Sequence, residues 1–155
     1  MTLKQAVQQD LKSALKEKKA ERVSALRLLL NDIIVKEKQK RAETGEGKDV
    51  ELTDEEVQSL VASSVKKNRE AIEEFKKGQR PDLVAKTEKE LEILKKYLPE
   101  QLTRDEIEKL VSEAISSVSA SSFHDIGRVM KEVMPKLKGR ADGNLVRKIV
   151  EEKLS

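Results

Sequence analysis

From Leu3 to Leu154 the apolar residues recur at intervals of three and four, the period that gathers them on one side of an α-helix. No run alternates with the two-residue period of a strand. A chain patterned this way folds by laying helix stripes against one another, so the expected fold class is all-α. Helix starts are written in threonines. Thr2 with Gln5, Thr53 with Glu56 and Thr103 with Glu106 each have the spacing of a capping box, in which two otherwise unpaired amides are satisfied reciprocally.

These signals predict seven helices. The first begins at Thr2 with Leu3, Val7, Leu11 and Leu15 on one stripe. The second covers about Ala20 to Thr44, with Val23, Leu26, Leu30, Ile33 and Ile34 inward. Its tail "VKEKQKRAETG" is polar on every side and expected in solvent, and "GEGKDVE" reads as a mobile link. The third carries Val57, Leu60, Val61, Val65, Ile72 and Phe75 and stops at Gly78. The fourth starts near Pro81, buries Leu83, Val84, Leu91, Leu94 and Leu98, and ends at Pro99. Pro99, inside "YLPEQLTRDE", is the expected boundary between an N-terminal helical domain of about four helices, 1–98, and a small three-helix C-terminal domain, 99–155. In the latter, Ile107, Leu110, Val111, Ala114, Ile115 and Val118 mark one helix, and "SSVSASSF" is a polar connector. Ile126, Val129, Met130, Val133 and Met134 mark the next helix, and Leu145, Val146, Ile149, Val150 and Leu154 the last.

Composition removes several function classes. Aromatic residues are 2% of the chain, so the core is built from Leu, Ile, Val, Ala and Met. The longest apolar cluster, "LRLLLNDIIV", is broken by Arg27, Asn31 and Asp32, far short of the roughly 18 apolar residues of a membrane span. Neither a secretory signal nor a membrane partner is expected. The absence of cysteine excludes disulfides and thiolate zinc sites and fits a cytoplasmic protein. His124 stands alone, with no second histidine to share a metal. Ser116, Ser117, Ser119, Ser121 and Ser122 have no evident base beside them. No phosphate-binding glycine loop occurs, and the paired acids Glu55–Glu56, Glu73–Glu74 and Glu151–Glu152 read as solvated helix faces. The expectation is no catalytic residue, no metal and no cofactor.

One stretch, "VMPKLKGRADGNLVRKIV" at 133–150, gathers two glycines and basic residues between two helix patterns. Residues 128–148 hold seven basic residues (Arg128, Lys131, Lys136, Lys138, Arg140, Arg147, Lys148) against Glu132 and Asp142, a local net charge of +5 in a chain whose total is +3. Gly139 can take the left-handed conformation that ends a helix, and Asp142 is placed to cap the next one. Gly143 is then the first helical residue, leaving backbone amides bare between Lys138, Arg140 and Arg147. Two readings stand side by side: an interhelical turn with its lysines in water, or a surface that accepts a phosphate backbone.

The chain resembles the GatB/YqeY family, most closely the free-standing YqeY-like proteins. The resemblance rests on "LRLLLNDI", "NREAIEEFKKGQRPDLVAKTEKELEILKKYLPEQLTRDEI" and "DIGRVMKEVMPKLKGRADGNLV", in that order over nearly the whole chain. It implies two helical domains. It also implies a link to the B subunit of the tRNA-dependent Asp/Glu amidotransferase. There the corresponding helical and tail module helps recognise tRNA, while a separate domain carries out kinase-like activation and amide formation. Related modules are fused to some glutaminyl-tRNA synthetases. The resemblance extends to the module and not to that catalytic domain, so a carbon–nitrogen ligase activity with glutamine as amide donor is the third of three readings.

The first reading is an accessory tRNA-binding module that assists aminoacylation or transamidation. In it Lys136, Lys138, Arg140, Asn144, Arg147 and Lys148 contact RNA, Gly139 and Gly143 permit close approach, and Asp142 holds the turn. The second is a protein-interaction module that docks on an aminoacyl-tRNA synthetase or an amidotransferase. Single-stranded RNA is usually gripped by stacking, yet Phe75, Tyr97 and Phe123 all read as core or boundary residues. Recognition through backbone and shape is therefore expected.

Overall fold

Three threonines open three of the helices. In each, the threonine oxygen accepts from the amide three residues on, and the side chain at that position accepts from the threonine amide, for Thr2–Gln5, Thr53–Glu56 and Thr103–Glu106. The computed structural model describes residues 1–45, 47 and 49–155. Among these residues the chain forms α1 (Leu3–Lys16), α2 (Ala20–Thr44), α3 (Asp54–Lys77), α4 (Pro81–Lys95), α5 (Arg104–Ser117), α6 (Ile126–Leu137) and α7 (Gly143–Leu154). A single 3-10 turn, Phe123–Asp125, precedes α6, and no strand is present among the described residues. The all-helical class read from the sequence is the observed one.

Helix ends follow a less obvious rule. α1, α3 and α5 each close in a Schellman motif, with paired backbone bonds Lys19 to Ala14 and Lys18 to Leu15, Arg80 to Phe75 and Gln79 to Lys76, and Ala120 to Ile115 and Ser119 to Ser116. The left-handed residue in each is Lys18, Gln79 or Ser119, with φ of 55°, 54° and 54°. Gly78, expected to stop α3, has an ordinary φ of −80° and is followed by the residue that makes the turn. α5 also runs to Ser117, taking up serines that had read as connector.

The chain divides into two compact units, Met1–Leu98 and Pro99–Ser155. In the first, α1 packs on α2, α3 on α4, and α4 on α2. Its core is Val7, Ala14, Leu26, Leu29, Ile33, Leu52, Val57, Val61, Val65, Ile72, Leu91, Leu94 and Tyr97. Two expectations for α2 fail. Ile34 is exposed and Leu29 is buried, because a helix apolar on several faces leaves its inward side unmarked. The tail of α2 is not free in solvent either. Glu37 continues the stripe of Leu26, Leu29 and Ile33 and is only 2% exposed. Its carboxylate accepts from Lys4 Nζ at 2.9 and 3.2 Å and from the Leu52 amide at 3.1 Å. Lys40 reaches Glu56 at 2.7 Å and the Glu51 carbonyl at 3.1 Å. Of the expected mobile link "GEGKDVE", Glu46 and Lys48 lie outside the described residues, while Val50 beside them is buried.

Near the end of this unit Tyr97 is almost fully buried, and its hydroxyl donates to Asp10 at 2.5 Å beside Lys96 at 3.1 Å. Burial, then the hydrogen bond and negative charge of Asp10, push the phenol well above the usual tyrosine range. Burial opposes the Asp10 charge, but the hydrogen bonds from Tyr97 and Lys96 and the nearby cations outweigh it and hold the carboxyl below its ordinary value.

The second unit is α5, α6 and α7 in mutual contact, with the 3-10 turn against α6 and α7. Ile107, Val111, Ala114, Ile126, Val129, Val133, Leu137, Val146, Ile149, Val150 and Leu154 form its core. Pro135 sits inside α6 and is exposed.

Candidate nucleic-acid interface

The link between α6 and α7 is a built turn. α6 ends at Leu137, and Lys138 (φ −55°, ψ 121°) and Gly139 (φ 76°) take the angles of a type II turn closed by the Arg140 amide on the Leu137 carbonyl at 2.9 Å. That turn needs a positive φ at its third position, so glycine is there for conformation, and an added Cβ would lie 3.5 Å from the Pro99 ring. Gly139 thus takes the expected left-handed φ just past the α6 C-cap Lys138, as the third residue of that turn. Asp142 caps α7, accepting from the Asn144 amide at 3.2 Å.

The far side of this turn is latched to 99–102. The Gln101 side-chain amide donates to the Pro99 and Gly139 carbonyls, both at 2.8 Å. The Leu102 amide donates to the Arg140 carbonyl at 2.9 Å, and Arg140 Nε donates to the Glu100 carbonyl at 3.2 Å. Sequence reasoning missed Gln101, since no local spacing announces a bond to a carbonyl 38 residues away. Arg140, chosen as an RNA contact, is half-buried and spends part of its guanidinium on this latch.

The other chosen residues fall into two sets. Lys136, Lys138, Asn144, Arg147 and Lys148 are all exposed, and Asn144, Arg147 and Lys148 share one outward strip of α7 by their spacing. Arg147 is tied to Glu151 at 3.2 Å. Every arginine of this unit is engaged: Arg104 with Glu108 and Glu152, Arg128 with Asp125, Arg140 with Glu100, Arg147 with Glu151. The lysines differ. All six, Lys109, Lys131, Lys136, Lys138, Lys148 and Lys153, have no ion pair or hydrogen bond among the described residues, and four of them fall within the basic stretch 128–148. Gly143 has no close neighbour, an added Cβ meeting only the Met134 methyl at 3.8 Å.

Phe123, read from the sequence as core or boundary, is 59% exposed. The turn that carries it is fixed by Asp125, whose carboxylate accepts from the Ser121 and Ser122 amides at 3.0 and 3.3 Å and from Arg128 at 3.1 Å. Those two amides first, then Arg128, hold the Asp125 carboxyl below its ordinary value. Arg128 also donates to the Val118 carbonyl. His124 beside Phe123 is exposed, and no group of three or more His, Asp or Glu among the described residues is placed to hold a metal ion. No helix among them is long and apolar enough to cross a membrane.

The family model for YqeY-like proteins matches residues 4–154. The chain belongs to the YqeY-like family. It is 32% identical over 149 residues to altered inheritance of mitochondria protein 41, mitochondrial, of Pyrenophora tritici-repentis, an alignment covering 94% of this chain and 77% of that one. An uncharacterized protein of Schizosaccharomyces pombe is 29% identical over 98 residues, covering 63% of this YqeY-like chain and 73% of the relative.

Proposed function

We propose that this YqeY-like protein is an accessory RNA-binding module that engages tRNA through the α6–α7 turn and assists aminoacylation or transamidation performed by another enzyme. The observation that supports the reading is the division of labour among cations. The arginines brace the unit, while Lys136, Lys138 and Lys148 stand unpaired on both sides of a turn latched to 99–102. Flexible ammonium groups around a rigid turn suit phosphates, whose spacing they follow without demanding a base sequence. In this reading the chain supplies no ligase chemistry of its own and acts in the cytoplasm, whereas the name of the Pyrenophora relative assigns that protein to mitochondria.

The test is tRNA affinity against salt concentration. Lys136→Gln, Lys138→Gln and Lys148→Gln together should weaken binding and flatten the log–log salt slope by roughly 2–3 units, at about 0.7–0.9 per phosphate contact. The control is Lys36→Gln, Lys38→Gln and Lys67→Gln in the first unit, three exposed lysines without ion pairs. Equal loss in both triples would mean charge alone and no site. Wild-type binding without salt dependence would end the RNA reading.

A second reading has its own observation. Leu28 and Val35, 62% and 45% exposed and seven residues apart, share one face of α2, an apolar pair that suits docking on a synthetase or amidotransferase. Leu28→Glu with Val35→Glu would abolish that association and leave tRNA affinity unchanged.

A further inference from the structure

Phe123 makes no contribution to the core, yet it stands on a braced turn with its ring 59% exposed, in a chain where aromatic residues are 2% of the total. Its surroundings are not those of a protein-docking pocket. The other exposed large apolar residues among those described all lie in the first unit, so the ring is solitary in its own unit. On the turn that carries it and the first turns of α6, His124, Gly127, Arg128 and Lys131 are all exposed. Gly127, Arg128, Lys131 and Pro135, three and four apart, form one outward strip of α6 that leads from the ring toward Lys138. Arg128 is neutralised by Asp125 at 3.1 Å, which leaves Lys131, about two turns beyond the ring, as the free cation of that strip. At Gly127 an added Cβ would meet nothing within 4 Å, so packing does not require glycine there and the helix backbone is open to close approach.

An aromatic face, a free ammonium group and a bare stretch of backbone are what a single unpaired nucleotide needs: stacking for the base, charge for the phosphate, clearance for the sugar. We infer that Phe123 stacks on an unpaired RNA base whose adjoining phosphate meets Lys131 across Gly127. The inference rests on the proposed RNA-binding function and adds to it a preference for unpaired over duplex RNA.

The chain has no tryptophan, so Phe123→Trp introduces a unique emitter. Its fluorescence should be quenched by an RNA hairpin with an unpaired loop and not by a fully paired duplex of the same length. Phe123→Ala should weaken hairpin binding by roughly 5- to 100-fold, the range of one lost stacking contact, and leave duplex affinity and the salt slope in place. Phe123→Tyr should bind as wild type does. The lysine triple variant should lose both RNAs, which separates the two proposals. If wild type binds both RNAs and Phe123→Ala is indistinguishable from it, stacking is refuted while the lysine surface stands. Equal quenching by hairpin and duplex refutes it too, as does a Phe123→Ala protein that keeps RNA affinity but loses a purified synthetase partner. If wild type binds neither RNA, both proposals fall.

Discussion

Replacing Lys4 by methionine removes one charge, keeps the aliphatic stem and strands a carboxylate. Glu37, at 2% exposure, would retain only the Leu52 amide at 3.1 Å, having lost an ammonium that bonds both its oxygens at 2.9 and 3.2 Å. Breaking a fully buried pair from one side costs about 3–5 kcal/mol, because the remaining charge is left without compensation. The Lys4 side chain is 16% exposed, so water reaches the vacated position, and the lower end, about 3 kcal/mol, is the expected loss. For a unit of this size that lowers the melting midpoint by roughly 12–24 °C, read by circular dichroism. Adding Glu37→Gln to the Lys4→Met protein should recover much of the loss, since the amide oxygen still accepts from Leu52 without a buried charge. The pH dependence has a fixed sign. Burial works against the Lys4 charge, but the hydrogen bond and charge of Glu37, and then of Glu51, raise its pKa above the ordinary lysine value of 10.5. The stabilisation is therefore complete below that value and is lost as pH rises through the folded-state pKa. The gap between wild type and Lys4→Met should stay constant through neutrality and narrow in alkali. A Lys4→Met melt that overlays wild type would refute the account of Glu37 as a buried ion.

Two further substitutions separate conformation from contact. Gly139→Ala should destabilise the second unit by about 1–2 kcal/mol in denaturant titrations, because φ at 76° disfavours any Cβ. Gly143→Ala, in helical geometry with only a methyl 3.8 Å away, should be neutral or stabilise by up to about 1 kcal/mol; equal losses at both positions would contradict the type II turn. Tyr97 is the only tyrosine, so tyrosinate absorbance reports it alone. With its pKa raised in the folded state, the phenol should stay protonated past the ordinary value of 10.0 and ionise only as the unit unfolds; titration at that ordinary value would dismiss the Asp10 contact.

The helical class and the three capping boxes were legible because they depend on residues a turn apart. Asp142 was legible for the same reason, as an acid just before a glycine that opens a helix. Glu37 was not. It occupies a core position of the α2 stripe, and only the distant Lys4 and Leu52 make a carboxylate tolerable there. Lys18, Gln79 and Ser119 carry no mark of the left-handed angles they adopt; packed helices on either side impose that geometry on side chains that do not favour it. Phe123 read as a core or boundary residue on hydrophobicity alone, whereas it is exposed on a turn whose Asp125 is anchored by the serine amides and Arg128. Arg140 and Lys138 read alike in the sequence, and only the fold gives one a structural partner and leaves the other free.

The bonds from Gln101 and Leu102 to the Gly139 and Arg140 carbonyls decide how this module can be cut and transplanted. A designer trimming to the first helical turn would begin at Thr103, where the cap is unmistakable. Such a graft would keep every helix and every core residue of the second unit. It would discard the glutamine amide, the leucine amide, the Glu100 carbonyl and the proline ring that seat the turn carrying the lysines. The portable piece starts at Pro99, and the four residues that look like tether, Pro99 to Leu102, are the part of the graft that gives its exposed turn a shape.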